Sequence, residues 1–563
     1  MRNLVLPLAC AVLLASTAAA SDLRSPFKVV ARNPALGTLD VEVDTNSIID
    51  LAARGDTVLR GVALPGGAAL DLELTRVDLA RCKFEFFVDN VAAPGLLDAL
   101  DLSVWMGHVV GSSDSEVALS FSHTGCMGWV RRDGEQFHLV PDAGRFVWVD
   151  DASYGAAGVG IGSYCDADSL PVPPSVSPST SGPTQRALSG PQFLTTQLYE
   201  CKVAVETDYQ LFQRWNNLAT QTSYVTSLLA WASYRYEEQI RTVLTYPYVM
   251  FYTTAADPWV AQENGGTAGT LLSEFRAAWQ NNVPSGGHLG CFLSGASLGG
   301  GVAWLPGLCN GTYNFSVCGN INGQTIFPIA VRPTNWDFMV LAHEVGHNFG
   351  SKHTHSYCPP LDQCAPSGYF GSCQTAQVCT NQGTIMSYCH LCSGGTSNIT
   401  TYFHPTCVTD MRTRVETTCL PVYCADPVVY CNGKVNSLGC TPAISYTGHP
   451  TLSGLDDFHV VCSQTLNLQN GILFWGTAIA STSFQGGMRC VALPLVRTAL
   501  QVAGSGAPGN NCTGTYDFFF SHAYTASESV GVGDTLYAQY WSRDPLSPSS
   551  TGLSNALHFT WCN

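Results

Sequence analysis

Three histidines and one glutamate crowd into LAHEVGHNFGSKH, Leu341 to His353. His343 and His347 are four residues apart, so on a helix their imidazoles share one face, one turn apart. Two imidazoles so placed can grip one zinc ion. Gly350 can take positive φ at no steric cost, which ends the helix and lets the chain return His353 as a third ligand. Three neutral nitrogens leave one tetrahedral position for water, the arrangement of a catalytic rather than a closed structural zinc site. Zinc lowers the pKa of a bound water from about 15.7 towards about 7. Glu344 stands beside the ligands, where it can take that proton and pass it to a leaving amine. Hydrolysis of a peptide bond is the chemistry this set implies. H-E-x-x-H alone is a modest signal, and Gly350 and His353 at fixed offsets sharpen it. A helix with surface histidines is the bland alternative.

A helix over Trp336–Phe349 must carry these residues, and the block 195–421 must hold the helix. Within it, Lys202–Val205 and Val249–Thr253 read as strands, and Asp208–Arg241 and Leu271–Gln280 as helices. Leu211, Trp215, Leu218, Tyr224, Leu228 and Trp231 mark the period of the longer one. The order implies an α/β layer with a mixed sheet, then an irregular, cysteine-rich lower part. Ahead of it, 21–168 alternates apolar and polar residues, and Val117–Val140 reads as hairpins turning at Gly125 and Asp133-Gly134. Leu170–Gln192 is dense in Pro, Ser, Thr and Gly and carries one basic residue, Arg186. The segment 169–194 therefore reads as an exposed linker, where nicking is easiest. Short alternating runs at Ile472–Trp475, Tyr516–Phe520 and Thr535–Trp541 make 424–563 an all-β, sandwich-like block. The expected fold class is multidomain: a β-rich N-terminal domain, an α/β zinc domain and a C-terminal β domain.

The chain opens MRNLVLPLACAVLLASTAAAS, which reads as a signal peptide over 1–20 followed by export. No later segment reaches membrane-spanning length without polar residues. Of 23 cysteines, setting aside Cys10 leaves 22, and in an exported chain that points to many disulfides. The one C-x-x-C, Cys389 to Cys392, stands alone, so a cysteine-ligated metal site is the weaker reading. A formal charge of −16 argues against nucleic acid as a partner, since phosphate binding needs basic patches.

GTIMSYCH, Gly383–His390, follows the histidines and contains Met386. With the extended motif it resembles the metzincin metallopeptidases, whose Met-turn forms an apolar floor under the metal. GVAWLPGLC, Gly301–Cys309, resembles the edge strand of the adamalysin (reprolysin) branch, which binds the substrate backbone as an added strand. This resemblance covers 195–421. Residues 101–141, with GHVVGSSDSEVALSFSHTGCMGWVRRDGEQFHLVP, resemble the prodomain of the same family, which implies a latent precursor over 21–168. There are departures. Thr354 stands where adamalysins usually carry Asp, and no disintegrin-like cysteine pattern follows. Tyr388 matches the M-x-Y of other metzincin branches, and is either near the zinc or a packed aromatic. Cys82, Cys126 and Cys165 are an odd set. Cys165 is either a latency thiolate, as in family zymogens, or a disulfide half. The resemblance also implies a structural calcium, for which no ligands align. NSLGCTP, FQGG and YWSRDP in 424–563 resemble a C-terminal module of large exported bacterial proteins. Surface attachment or substrate binding, and a folding or stability role, are equal readings of it. Four N-x-S/T sequons, at Asn310, Asn314, Asn398 and Asn511, would be used only in a eukaryotic host.

The leading expectation is a secreted zinc endopeptidase made as a zymogen, acting on proteins or peptides. His343, His347 and His353 would hold the metal, and Glu344 would move protons. The alternative is a non-catalytic exported adhesion protein that keeps a structural zinc. Glu344 favours the enzyme, because a structural site needs no such carboxylate. Hydrolysis of another amide or ester would use the same chemistry.

Overall fold

The computed structural model describes residues 21–151 and 197–562, except 68, 143–144, 264, 324–333 and 505–508, with 164–165, 167, 170–171 and 173 between them. The leader expected over 1–20 and most of the linker expected over 169–194 lie outside the described residues. The chain divides into two compact units. One takes in the sequence to residue 179 with 203–240 and 246–414; the other takes in 180–202, 241–245 and 415–563.

In the first unit, ten N-terminal strands form one sheet, with Ser103–Val109, Ser112–Ser122, Gly125–Arg132, Glu135–Asp142 and Arg145–Asp150 side by side. The hairpin joining Arg132 to Glu135 turns on Asp133 (φ 53°) and Gly134 (φ 81°), the double left-handed geometry that suits a two-residue turn. One face of this sheet buries Leu119, Phe121, Val130, Leu139 and Trp148 in its own core. The polar members of the alternation, such as Glu116 and Ser120, do not face water; both are buried. They meet the second layer of the unit.

That layer consists of helices and turns, which meet Ser120 and Glu116 at Ser227 and Thr401, on an eight-stranded mixed sheet in the order Tyr164–Cys165, Gly300–Ala303, Phe315–Cys318, Leu289–Leu293, Tyr199–Thr207, Thr242–Phe251, Phe86–Val88, Val91–Ala92. The helical period expected over Asp208–Arg241 resolves into two helices, Tyr209–Phe212 and Leu218–Ile240. Asp208 caps the first, and Asn216 breaks the run at φ 49°. Leu218–Ile240 is buried nearly all round, polar Thr222, Ser223, Thr226 and Ser227 included. It has no solvated face because layers cover it on both sides. The motif helix, Thr334–Asn348, packs on Gly300–Ala303 and Phe315–Cys318 and also on Gly125–Arg132.

After the motif helix, regular structure gives way to turns stapled by Cys358–Cys373, Cys364–Cys389 and Cys379–Cys392. The C-x-x-C cysteines are thus halves of two disulfides. Cys82, Cys201, Cys291, Cys318 and Cys407 instead carry buried thiols, so an even count did not mean full pairing. Asn310, Asn314 and Asn398 are buried, and the amides of Asn314 and Asn398 donate to His288 O and Cys389 O, which leaves no space for a glycan.

The second unit is mostly β. Its strands include Asn470–Gly476, Thr535–Arg543 and Thr551–Thr560 in one sheet and Ala443–Thr447, His459–Thr465 and Gly514–Phe519 in another. Both sheets feed one core, in which Val460 and Tyr516 meet Leu473, Tyr540, Phe559 and Trp561. Cys424–Cys562, Cys431–Cys490 and Cys440–Cys512 tie it together.

Candidate active site

The motif helix is fixed before it reaches the histidines. Near its start Asp337 is buried and accepts from Asn322 N (3.1 Å), Gly323 N (2.9 Å) and the Tyr224 hydroxyl. Burial pushes its carboxyl up to about 7. The helix ends as Gly350 takes φ 101°, with Gly350 N donating to His347 O and Ser351 N to Gly346 O.

The turn brings the third histidine back. His347 Nε2 lies 3.1 Å from His343 Nε2 and 3.1 Å from His353 Nε2. His343 Nδ1 faces Ile385 O at 2.7 Å, and His347 Nδ1 faces Ser351 O at 2.8 Å. A carbonyl can only accept, so each Nδ1 carries the proton and each Nε2 presents its lone pair. Lone pairs converging at hydrogen-bond distance in a buried site repel unless a cation sits among them. The donors therefore fit a zinc ion, and the carbonyl bonds are the outer contacts that orient such ligands.

Gly346 was not singled out by sequence, and Thr354 was noted without a role. A side chain at Gly346 would meet Met386 Sδ at 2.8 Å, so glycine here lets the buried methionine lie against the helix. Thr354, the departure from the family pattern, donates from N (3.0 Å) and Oγ1 (3.3 Å) to Met386 O. It ties the third histidine's arm to the methionine turn.

Glu344 is buried and lies over Gly301, where an added Cβ would come within 2.7 Å of its Cγ and Cδ. Cys165 pairs in register with Gly301 through a two-residue strand parallel to Gly300–Ala303. Its thiol donates to Glu344 Oε2 at 3.4 Å and lies within 4.8 Å of a ligand nitrogen on each histidine. Tyr388 holds that strand: its hydroxyl accepts from Cys165 N (3.2 Å) and donates to Cys165 O. The ring also packs 4.7 Å from that of His353. An apolar recess is lined by His343 and Glu344 together with Trp336, Met339, Val340, Ile385, Thr396 and Ile399. A second gathering, Asp362 with Cys364 and Cys389, offers no metal site, because its two cysteines are bonded to each other.

Residues 197–403 match the family model Reprolysin_5, metallo-peptidase family M12. That segment contains the three histidines, Glu344 and Met386, and it supports a zinc metallopeptidase and protein substrates. No curated protein matches the chain. Among solved structures, similarity is found to a chaperone–substrate complex (12% identity, TM-score 0.23, 52% of this chain and 39% of that one). It is also found to catalytically inactive OgpA from Akkermansia muciniphila in complex with an O-glycopeptide substrate (12% identity, TM-score 0.18, 69% of this chain and 98% of that one). Wild-type OgpA gives the same identity and TM-score over 67% of this chain and 97% of that one. Scores this low carry no argument about fold or function.

Proposed function

We propose that the chain is an exported zinc endopeptidase made as a zymogen, with His343, His347 and His353 as ligands and Glu344 as the proton-transfer group. The observation that carries this reading is the convergence of three imidazole Nε2 atoms beside a buried carboxylate. Zinc, when bound, supplies a Lewis acid that polarises a carbonyl and acidifies water. The chain supplies the rest. Nδ1–H bonds from His343 and His347 hold the rings in one tautomer. Glu344, kept over Gly301, takes a proton from water at a carboxylate oxygen and delivers it to the departing amine nitrogen. Gly300–Ala303 offers backbone groups against which a peptide can align as an added strand. The recess beyond His343 suits an apolar side chain next to the scissile bond. Disulfides in both units favour an oxidising compartment outside the cytoplasm, and no described helix is long and apolar enough to cross a membrane.

The place of Cys165 supports latency. Its strand occupies the edge a substrate would use, and its thiol fills the space between Glu344 and the ligands. The same fact favours the second reading, a binding protein with a closed structural zinc of three histidines and one thiol. Two measurements separate them. Glu344→Ala should keep its zinc, read by elemental analysis, and lose at least about 10²–10⁴-fold in casein digestion. An unchanged rate would sink the mechanism. Cys165→Ser should digest casein without any cut in 169–194, and an inert, zinc-loaded variant would favour the structural site. For the C-terminal unit, surface attachment and a folding role both remain proposals.

A further inference from the structure

A latency segment that leaves on activation should meet the enzyme through a small, separable contact. Tyr164–Cys165 fits that description, with two paired residues, one thiol and one tyrosine clamp. The ten-stranded sheet does not. Trp129, fully buried, packs 4.9 Å from Trp231 on the long helix and 5.4 Å from Phe338 on the motif helix. Trp231 Nε1 donates to Trp105 O at 3.2 Å, and Ser120 Oγ lies 2.7 Å from Ser227 Oγ. Phe86–Val88 pairs parallel with Val249–Phe251, so N-terminal residues complete the sheet of the zinc domain.

Two buried carboxylates reach still further. Glu116 accepts from Thr401 N at 3.0 Å and Thr401 Oγ1 at 2.7 Å. Asp151 accepts from Thr396 Oγ1 at 3.1 Å and Ser397 N at 3.0 Å. Thr396, part of one anchor, and Ile399, between the two, line the recess beside the histidines. Withdrawing the sheet would leave buried tryptophans bare and cut both anchors of the recess wall.

We propose that after scission in 169–194 only the Cys165 strand withdraws, while the ten-stranded sheet stays bound as a working part of the enzyme and braces the wall of its substrate recess. The sheet's part in catalysis rests on the peptidase reading; its retention does not. The test is limited tryptic cleavage of the full chain at Arg186, then gel filtration at micromolar concentration, with mass spectrometry and casein digestion on each fraction. Electrophoresis in SDS without reductant checks that the pieces are not covalently joined. The expected result is one peak holding both pieces and carrying the activity. Separate peaks, with activity in the C-terminal piece alone, would overturn the proposal. A joint peak without activity, with zinc present, would uphold retention and count against the peptidase reading instead.

Discussion

The two sides of the candidate metal site are built differently. On the ligand side, His343, His347 and His353 come from one helix and the turn after it, and Gly350 makes that turn. On the opposite side, Glu344 faces Gly301 and Cys165, which come from two strands, the second 179 residues away in sequence. The ligand side is set by helix periodicity and one glycine. The strand side exists only once the sheet has formed in the right register. Chemistry that needs a metal can be written locally, whereas its confinement needs the whole fold.

Substitutions can break that contrast, and the largest effect should come from the strand side. Gly301→Ala places a methyl where Glu344 lies and should lower kcat for casein by about 10²-fold, as a 1 Å displacement of a reacting group can. Zinc content should stay at the wild-type value. Loss of zinc in that variant would mean that the two sides are not separable. Gly346→Ala sits on the ligand helix and pushes on Met386 Sδ. Overpacking of this kind costs about 1–3 kcal/mol, so the melting temperature should fall with the active-site residues intact. An unchanged melting curve would show that the methionine floor yields freely.

The smallest effect lies away from the metal. Glu206 is buried, its Oε1 accepts from Trp259 Nε1 at 3.1 Å, and burial pushes its carboxyl up to about 8. Its unfolded value is about 4.3. The folded state therefore holds the proton to higher pH than the unfolded state, and stability from this group is full below about 4.3 and lost as pH rises through about 8. Glu206→Gln stays neutral, so it should lose less stability than wild type between pH 5 and pH 9 in thermal unfolding. Parallel curves for the two proteins would contradict this assignment.

The legible parts follow the same division. The extended motif places the three histidines and Glu344 together in sequence, and the structure gathers them in space. The strand expected at Lys202–Val205 falls within Tyr199–Thr207, and the one expected at Val249–Thr253 overlaps the end of Thr242–Phe251, which stops two residues sooner. The roles of Gly346 and Thr354 were hidden, because nothing near either residue announces a contact with Met386, more than thirty positions downstream. For Cys165 the sequence left a metal-side thiol and a disulfide half both open, since the pairing of its strand with Gly300–Gly301 is a matter of sheet register. The alternation in 21–168 pointed to β structure but did not say what its polar residues face. Glu116 and Ser120 are polar because they meet Thr401 and Ser227, partners that alternation cannot reveal.

The most direct test compares Cys165→Ser with Cys165→Ser/Glu344→Ala in the uncut chain, at equal zinc content, by initial rate of casein digestion. The account predicts that the single variant digests casein and the double variant does not. Equal rates in both, whether active or inert, would contradict it.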